Sequence, residues 1–208
     1  MIQSKDDLRY YLETERRLFL HRNYGVKQLE RKRPKIIGEY EWKYVRSLRW
    51  VEYSKNTRGG YADKVNCVLH KIRYKILSIL FCAQIPANVF DEGLLIQHLH
   101  GIIVSSEVHV GRLCYLYHNT TMGISVGTDD YGKCPVLGDG VTVCTGAVIV
   151  GDIEIADGVT IAANAVVVKS VEKASCLVGG VPAKVIKEKA GFSMLDYWAT
   201  IRTLENKN

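Results

Sequence analysis

The stretch LGDGVTVCTGAVIVGDIEIADGVTIAANAVVVKSVE, Leu137 to Glu172, decides the fold. An apolar residue returns at every sixth position, at Leu137, Val143, Ile149, Ile155, Ile161 and Val167. A second set follows four places later in each unit, at Val141, Ala147, Ile153, Val159, Ala165 and Val171. A helical face would recur near 3.6 residues and a strand near 2. A period of six instead predicts short strands on the three sides of a parallel β-helix, with about three hexads to a coil.

Upstream, Val104, Val110, Leu116 and Met122 form a six-residue ladder of their own, with Val108, Cys114, Thr120 and Val126 four places on. Fifteen residues separate Met122 from Leu137, which breaks the phase by half a hexad. The polar, turn-rich segment from Ser125 to Lys133 therefore reads as a loop ejected from the solenoid, and such loops tend to carry function. Hexad arithmetic predicts four to five coils.

The rest of the chain is of another kind. Its 208 residues, 47% of them hydrophobic, suffice for a substantial core. Residues 1–81 hold no hexads and predict three helices: Lys5 to about His21, opened by Ser4 and Asp7 in a capping-box pattern; Glu39 to about Lys55; and Ala62 to Phe81. The third carries Val65, Val68, Leu69, Ile72, Ile76 and Leu80 on one side. Residues 191–208 predict one more short helix around Met194, Trp198 and Ile201. The expected fold is thus α+β: an N-terminal helical domain (1–81), a left-handed parallel β-helix (82–190), and a C-terminal tail or helix (191–208).

Charge is divided unevenly. Residues 1–80 hold 19 Lys and Arg against 9 Asp and Glu, and the remainder 9 against 13. The run Arg31-Lys32-Arg33-Pro34-Lys35 has the charge to attract nucleic acid, an anionic glycan or a phospholipid surface, but a run of this size reads first as a solvated helix-end loop; no stacking-aromatic or zinc-finger pattern accompanies it, and nucleic acid is not expected as a partner. Six cysteines lie without a Cys-x-x-Cys pair, as reduced, small apolar residues would. The start Met-Ile-Gln-Ser-Lys-Asp-Asp does not read as a signal peptide. The apolar stretch Ile76–Ala83 is far below the ~20 residues a membrane span needs, so a cytoplasmic chain without integral membrane segments is expected.

Two segments carry a family resemblance: Leu95-Ile96-Gln97-His98-Leu99-His100-Gly101-Ile102-Ile103-Val104 before the hexads, and Gly179-Gly180-Val181-Pro182-Ala183-Lys184-Val185-Ile186 after them. Over Gln84 to Lys187, about half of the chain, the sequence resembles the serine acetyltransferase branch of the hexapeptide-repeat acyltransferases. The resemblance implies a trimer or dimer of trimers that moves acetyl from acetyl-CoA to a hydroxyl, with sites between subunits. It makes His98 the general base, a task that imidazole suits near neutral pH. The ladder alone gives His98 another role, because six places before Val104 is an inward position and hence that of a core histidine.

The resemblance further implies acceptor contacts at Gln97, His118 and Cys134, and CoA contacts at Gly123, Ala163, Gly179, Gly180 and Lys184. His118 reads equally as a plain coil-corner residue, and the glycines as the turn that takes the chain off the solenoid. No metal is expected: trimeric β-helices of the gamma-type carbonic anhydrases use a His-x-x-x-x-His pair, and no two histidines here have that spacing.

The departures from the family pattern fall on the acceptor side. Gln97 stands where those enzymes have Asp, and Cys134 where a second histidine precedes the proline. Ala83-Gln84-Ile85-Pro86 replaces Asp-Ile-His-Pro, leaving Asp91, Glu92 or Glu107 as substitutes for the carboxylate that orients the histidine. The tail Asn206-Lys207-Asn208 lacks the terminal Ile that docks into cysteine synthase, so no such complex is expected. Ile85-Pro86-Ala87-Asn88-Val89-Phe90 resembles the entry of similar proteins from capsule and surface-polysaccharide clusters, which offers a sugar hydroxyl as the alternative acceptor to serine. Two readings of another class remain: a non-enzymatic trimeric scaffold predicts no CoA binding, and a charge-driven membrane or nucleic-acid adaptor predicts salt-sensitive binding through residues 1–80.

Overall fold

The computed structural model describes residues 1–25, 31–58, 60–126 and 132–205. Helices α1 (Lys5–Tyr24), α2 (Tyr40–Asn56) and α3 (Tyr61–Leu80) precede strands β1 to β13, and α4 (Met194–Glu205) follows. The capping box at the start of α1 is formed: Asp7 N donates to Ser4 Oγ at 3.0 Å and Ser4 N to Asp7 Oδ2 at 2.9 Å.

The strands stack into a parallel β-helix of three sheets. One runs β1 (Leu95–Gln97), β4 (Tyr115–Tyr117), β7 (Thr142–Val143), β10 (Thr160–Ile161) and β12 (Leu177–Gly180), closed by antiparallel β13 (Ala183–Lys187). The second runs β2 (Ile103–Val104), β5 (Thr121–Gly123), β8 (Val148–Val150) and β11 (Val166–Val167). The third holds β3 (His109–Val110), β6 (Val136–Leu137) and β9 (Glu154–Ile155). With the isolated bridges at Gln84, Phe90 and Val171, five coils result, inside the predicted range.

The register reproduces the hexad reading. Thr142 pairs with Thr160 and Val148 with Val166, in each case three whole hexads apart. Tyr115 pairs with Thr142 and Thr121 with Val148, which is three hexads and nine further residues. Nine is the length of Ser125–Lys133, although residues 127–131, and with them the placement of that loop over the site, lie outside the described residues. Leu137, Val143, Ile149, Ile155, Ile161 and Val167 are all at most 2% exposed. Val126 is the exception on the upstream ladder, 81% exposed where the phase breaks.

The helices share this core: Tyr44, Val45, Leu48 and Leu77 join the cluster that runs up the solenoid. Met194 and Ile201 of α4 are fully buried, packed with Leu18, Phe19, Trp42, Leu95 and Tyr115, so the C-terminal helix folds back on α1 and the first coils. An apolar helical stripe ordinarily faces a core. In α3 the stripe Val65 to Leu80 faces out, because α3 meets α2 through its other side. There Trp50 stacks on His70, with ring centroids 5.4 Å apart, and Tyr44 meets Tyr74 at 5.2 Å.

Arg49 fastens the two parts together. Its guanidinium is fully buried and donates to Glu15 Oε1 and Glu52 Oε2, both at 2.8 Å. It also donates to the carbonyls of Phe90 (2.8 Å) and Asp91 (2.7 Å), at the entry of the β-helix.

Candidate active site

One corner of the solenoid, between the β1 and β2 sheets, gathers the chemistry. Inward positions Ile96 and Val104 are eight places apart across this corner of the first coil. The stacked positions Leu116 and Met122 are six apart. Two residues are therefore added at the corner of the first coil. They shift the phase so that Leu99 (2% exposed) and Ile102 (0%) turn inward while His98 is exposed, in the left-handed region at φ 63°. The core position that the ladder assigns to His98 is thus corrected, and the reason is this insertion.

His98 faces His118 on the next coil, edge to face with ring centroids 5.7 Å apart. His118 Nδ1 lies 3.5 Å from Thr145 Oγ1. The backbone stacks this corner regularly: Asn119 N donates to His100 O, Gly146 N to His118 O and Asn164 N to Thr145 O, at 2.8, 3.2 and 2.9 Å. His100, His118, Thr145 and Ala163 therefore share one column. Its side chains shrink over the two coils above His118, a rise of about 10 Å at ~4.8 Å per strand, which leaves a trough leading up from the histidines.

The next column, Gly101, Asn119, Gly146 and Asn164, is left-handed throughout, with φ of 61°, 55°, 72° and 56°. Glycine and asparagine alternate for a steric reason as well. A Cβ on Gly146 would lie 2.1 Å from Asn164 Oδ1, and one on Gly101 2.3 Å from Asn119 Oδ1.

Beside the histidines, Gln97 is held by a polar chain that starts on α1. Arg22 Nε donates to the Tyr115 hydroxyl at 2.9 Å, and that hydroxyl donates to Gln97 Oε1 at 3.0 Å. Burial pushes the Tyr115 phenol above its ordinary range, which keeps it a donor. Tyr117 packs on Tyr115, ring centroids 4.7 Å apart.

No family model matches the chain. Among curated proteins it is 31% identical to the serine acetyltransferase of Buchnera aphidicola from Schizaphis graminum, over 54% of this chain and 43% of that protein. To the serine acetyltransferase of Synechococcus elongatus it is 33% identical, over 49% and 41%. The chain thus spans less than half the length of these relatives. The chain is similar to serine acetyltransferases over about half of its length.

The same fold recurs in solved structures. The serine acetyltransferase of Brucella abortus in complex with coenzyme A superposes with a TM-score of 0.67, at 21% identity, over 89% of this chain and 70% of that one. The Neisseria gonorrhoeae enzyme in complex with serine gives 0.66 at 23%, over 88% and 70%. The fold is therefore α+β, N-terminal helices followed by a left-handed parallel β-helix.

In this serine acetyltransferase-like chain the other expected site residues fall in three places. Gly179, Gly180 and Lys184 form the β12–β13 hairpin on the last coil, where Gly179 pairs with Lys184. A Cβ on Gly179 would lie 2.5 Å from Ile186 Cδ1 and 3.0 Å from Ala162 Cβ, so the hairpin seats beside Ala163 at the far end of the trough, with Lys184 exposed. Gly123 lies round the corner on β5, level with Ser105 and Val150. Cys134 is 8% exposed and packs into the main apolar core, and no contact joins it to His98 or His118 among the described residues.

None of the three carboxylates considered as partners for His98 reaches it. Asp91 takes the N-terminal ammonium at 3.5 Å and faces His109 at 3.8 Å. Glu92 faces Arg112 at 4.0 Å, and Glu107 accepts from Ser106 at 3.2 Å. The carboxylate brought to this corner is Glu41 of α2, whose Oε1 accepts from Leu99 N at 3.5 Å. Neither Glu41 nor Arg22 announces itself in the sequence, since each arrives by docking of a helix. Tyr115 could have been found, because its stacking over Leu95 follows once the first coil is counted as three hexads plus two. Among the described residues no group of three His, Cys, Asp or Glu side chains converges as metal ligands, and no helix is long and apolar enough to cross a membrane.

Proposed function

We propose that the chain is an acetyl-CoA-dependent O-acetyltransferase, with serine as the leading acceptor and His98 as the general base. One observation carries the reading: the insertion in the first coil turns His98 out of the core and into a corner shared with His118, at the foot of the trough.

Acetyl-CoA supplies the activated thioester. Neutral His98 accepts the proton of the acceptor hydroxyl as that oxygen attacks the acetyl carbonyl carbon. The resulting imidazolium returns the proton to the departing thiolate sulfur, which regenerates the base. The small side chains at Thr145 and Ala163 admit an extended pantetheine arm, and Lys184 offers charge to its phosphates. Gln97, fixed by Tyr115 and Arg22, and His118 contact the acceptor, whereas Cys134, buried in the core, makes no contact with this corner among the described residues.

The uncharged outer face of the β2 sheet adjoins this corner and carries Ile103 (49% exposed), Val148, Val150, Val166 and Val168 (42% exposed). A second copy packed there would bury it and complete the site between subunits, as the trimer of the resemblance requires.

The test is thiol release from acetyl-CoA, with L-serine and a panel of amino and acetamido sugars offered in parallel and His98→Ala as control. Serine-dependent release that is lost in the variant supports the reading. Release with sugars alone reassigns the acceptor, and silence with every acceptor together with no CoA binding overturns it in favour of a scaffold.

A further inference from the structure

Val65, Val68, Leu69, Ile72, Ile76 and Ile79 of α3 are between 46% and 68% exposed. At about 100° per residue they point away from Cys67, His70, Tyr74 and Leu77, which pack on α2. Lys64, Lys71 and Lys75 run along one flank of this stripe and Arg73 along the other. The single carboxylate in α3, Asp63, is occupied by Lys5 at 2.8 Å. The stripe is therefore apolar at its centre and cationic at both borders.

Its basic border continues into a cleft formed by Arg33, Lys35, Lys43, Arg46 and Arg73. Ile36 and Ile37 stand beside the cleft, 96% and 82% exposed. Burial, with repulsion from Arg33 and Arg73, draws the Arg46 pKa down. The nearby Glu39 is taken by Arg31 and by Lys35 N.

A second copy laid on this stripe would set the same cations against each other. A bilayer surface with acidic lipids satisfies both features at once: the apolar stripe enters the headgroup boundary, and the flanking Lys and Arg meet phosphates. We infer that the face formed by α3 and residues 33–37 seats the protein on an anionic lipid surface, lying on the bilayer without crossing it.

The experiment is flotation of the full chain with vesicles of phosphatidylcholine alone and of phosphatidylcholine with one quarter phosphatidylglycerol. Binding to the second, weakened by salt, is expected. Lys71→Gln/Lys75→Gln lowers it about thirtyfold, at roughly fivefold per cation. Ile72→Ser/Ile76→Ser lowers it at least tenfold, and both variants keep the native circular dichroism and melting temperature because the four side chains face solvent. Equal binding to the two vesicle types, or indifference to both variants, overturns the inference. So does an apolar variant that lowers the mass in sedimentation while the parent chain ignores vesicles, which would make the stripe a contact between copies.

Discussion

Replacing Arg49 by Met tests how the helices are held to the β-helix. The guanidinium makes four buried hydrogen bonds: two to the carboxylates of Glu15 and Glu52, and two to the carbonyls of Phe90 and Asp91. Methionine fills similar volume but leaves two carboxylates facing each other in the interior. Removing one member of a buried ion cluster costs about 3 to 5 kcal/mol. With the two carbonyls also left unpaired, the expected loss at pH 8 is about 4 kcal/mol, a large share of a typical 5–15 kcal/mol domain stability.

The loss depends on pH. Burial pushes the Glu15 carboxyl up to about 7 even beside Arg49, against an ordinary 4.5 in the unfolded chain. The native state thus holds this proton to higher pH than the unfolded one, so stability falls as pH rises between about 4.5 and 7. Without Arg49 the main opposition to burial is gone, and the pH range over which stability falls extends further upward. Urea unfolding followed by the fluorescence of Trp42, Trp50 and Trp198 at pH 5 and pH 8 measures both quantities. Neutralising the carboxylates as well, in Glu15→Gln/Arg49→Met/Glu52→Gln, should recover at least half of the loss. A loss under about 1.5 kcal/mol at pH 8, or a larger loss at pH 5 than at pH 8, would refute the reasoning.

Other perturbations follow from the site and the solenoid. His98→Ala should lower kcat by about 10² to 10⁴ while leaving CoA affinity, read by calorimetry, unchanged. Gly146→Ala places a Cβ against Asn164 Oδ1 at a left-handed position; a stability loss of about 1 to 3 kcal/mol is expected from thermal melts, and Gly38→Ala, also left-handed but with nothing within 4 Å among the described residues, should lose less. Ile161→Ala in the inward ladder should cost about 2 to 5 kcal/mol in urea unfolding, while Val168→Ala on the outer face should leave the monomer's stability within about 0.5 kcal/mol and weaken self-association in sedimentation.

The solenoid was legible in the sequence because a three-sided coil built from whole hexads forces the same side of the chain inward every sixth place. The nine-residue excess between Met122 and Leu137 was visible for the same reason, since apolar residues mark the phase on both sides. Helix α1 was legible from its capping box and α2 from its apolar spacing. The orientation of α3 was not, because an apolar stripe states that a face is water-averse and leaves open what covers it. Arg22 meeting Tyr115 across 93 positions, and Glu41 meeting Leu99 across 58, depend on how helices dock, which no local pattern encodes.

His98 shows why the period misled at the one place where it mattered most. Extrapolating six places back from Val104 assumes an unbroken coil, yet the first coil exceeds three hexads by two residues, and these fall between Gln97 and Ile102, where few apolar residues mark the phase. In a strict hexad the inward places must be apolar, so a polar residue that lands on one signals either a buried polar group or a local change of length. The cost of burying an unpaired imidazole favours the second. A histidine on an inward hexad place is thus itself evidence for an insertion, and here the two extra residues turn His98 outward to face His118.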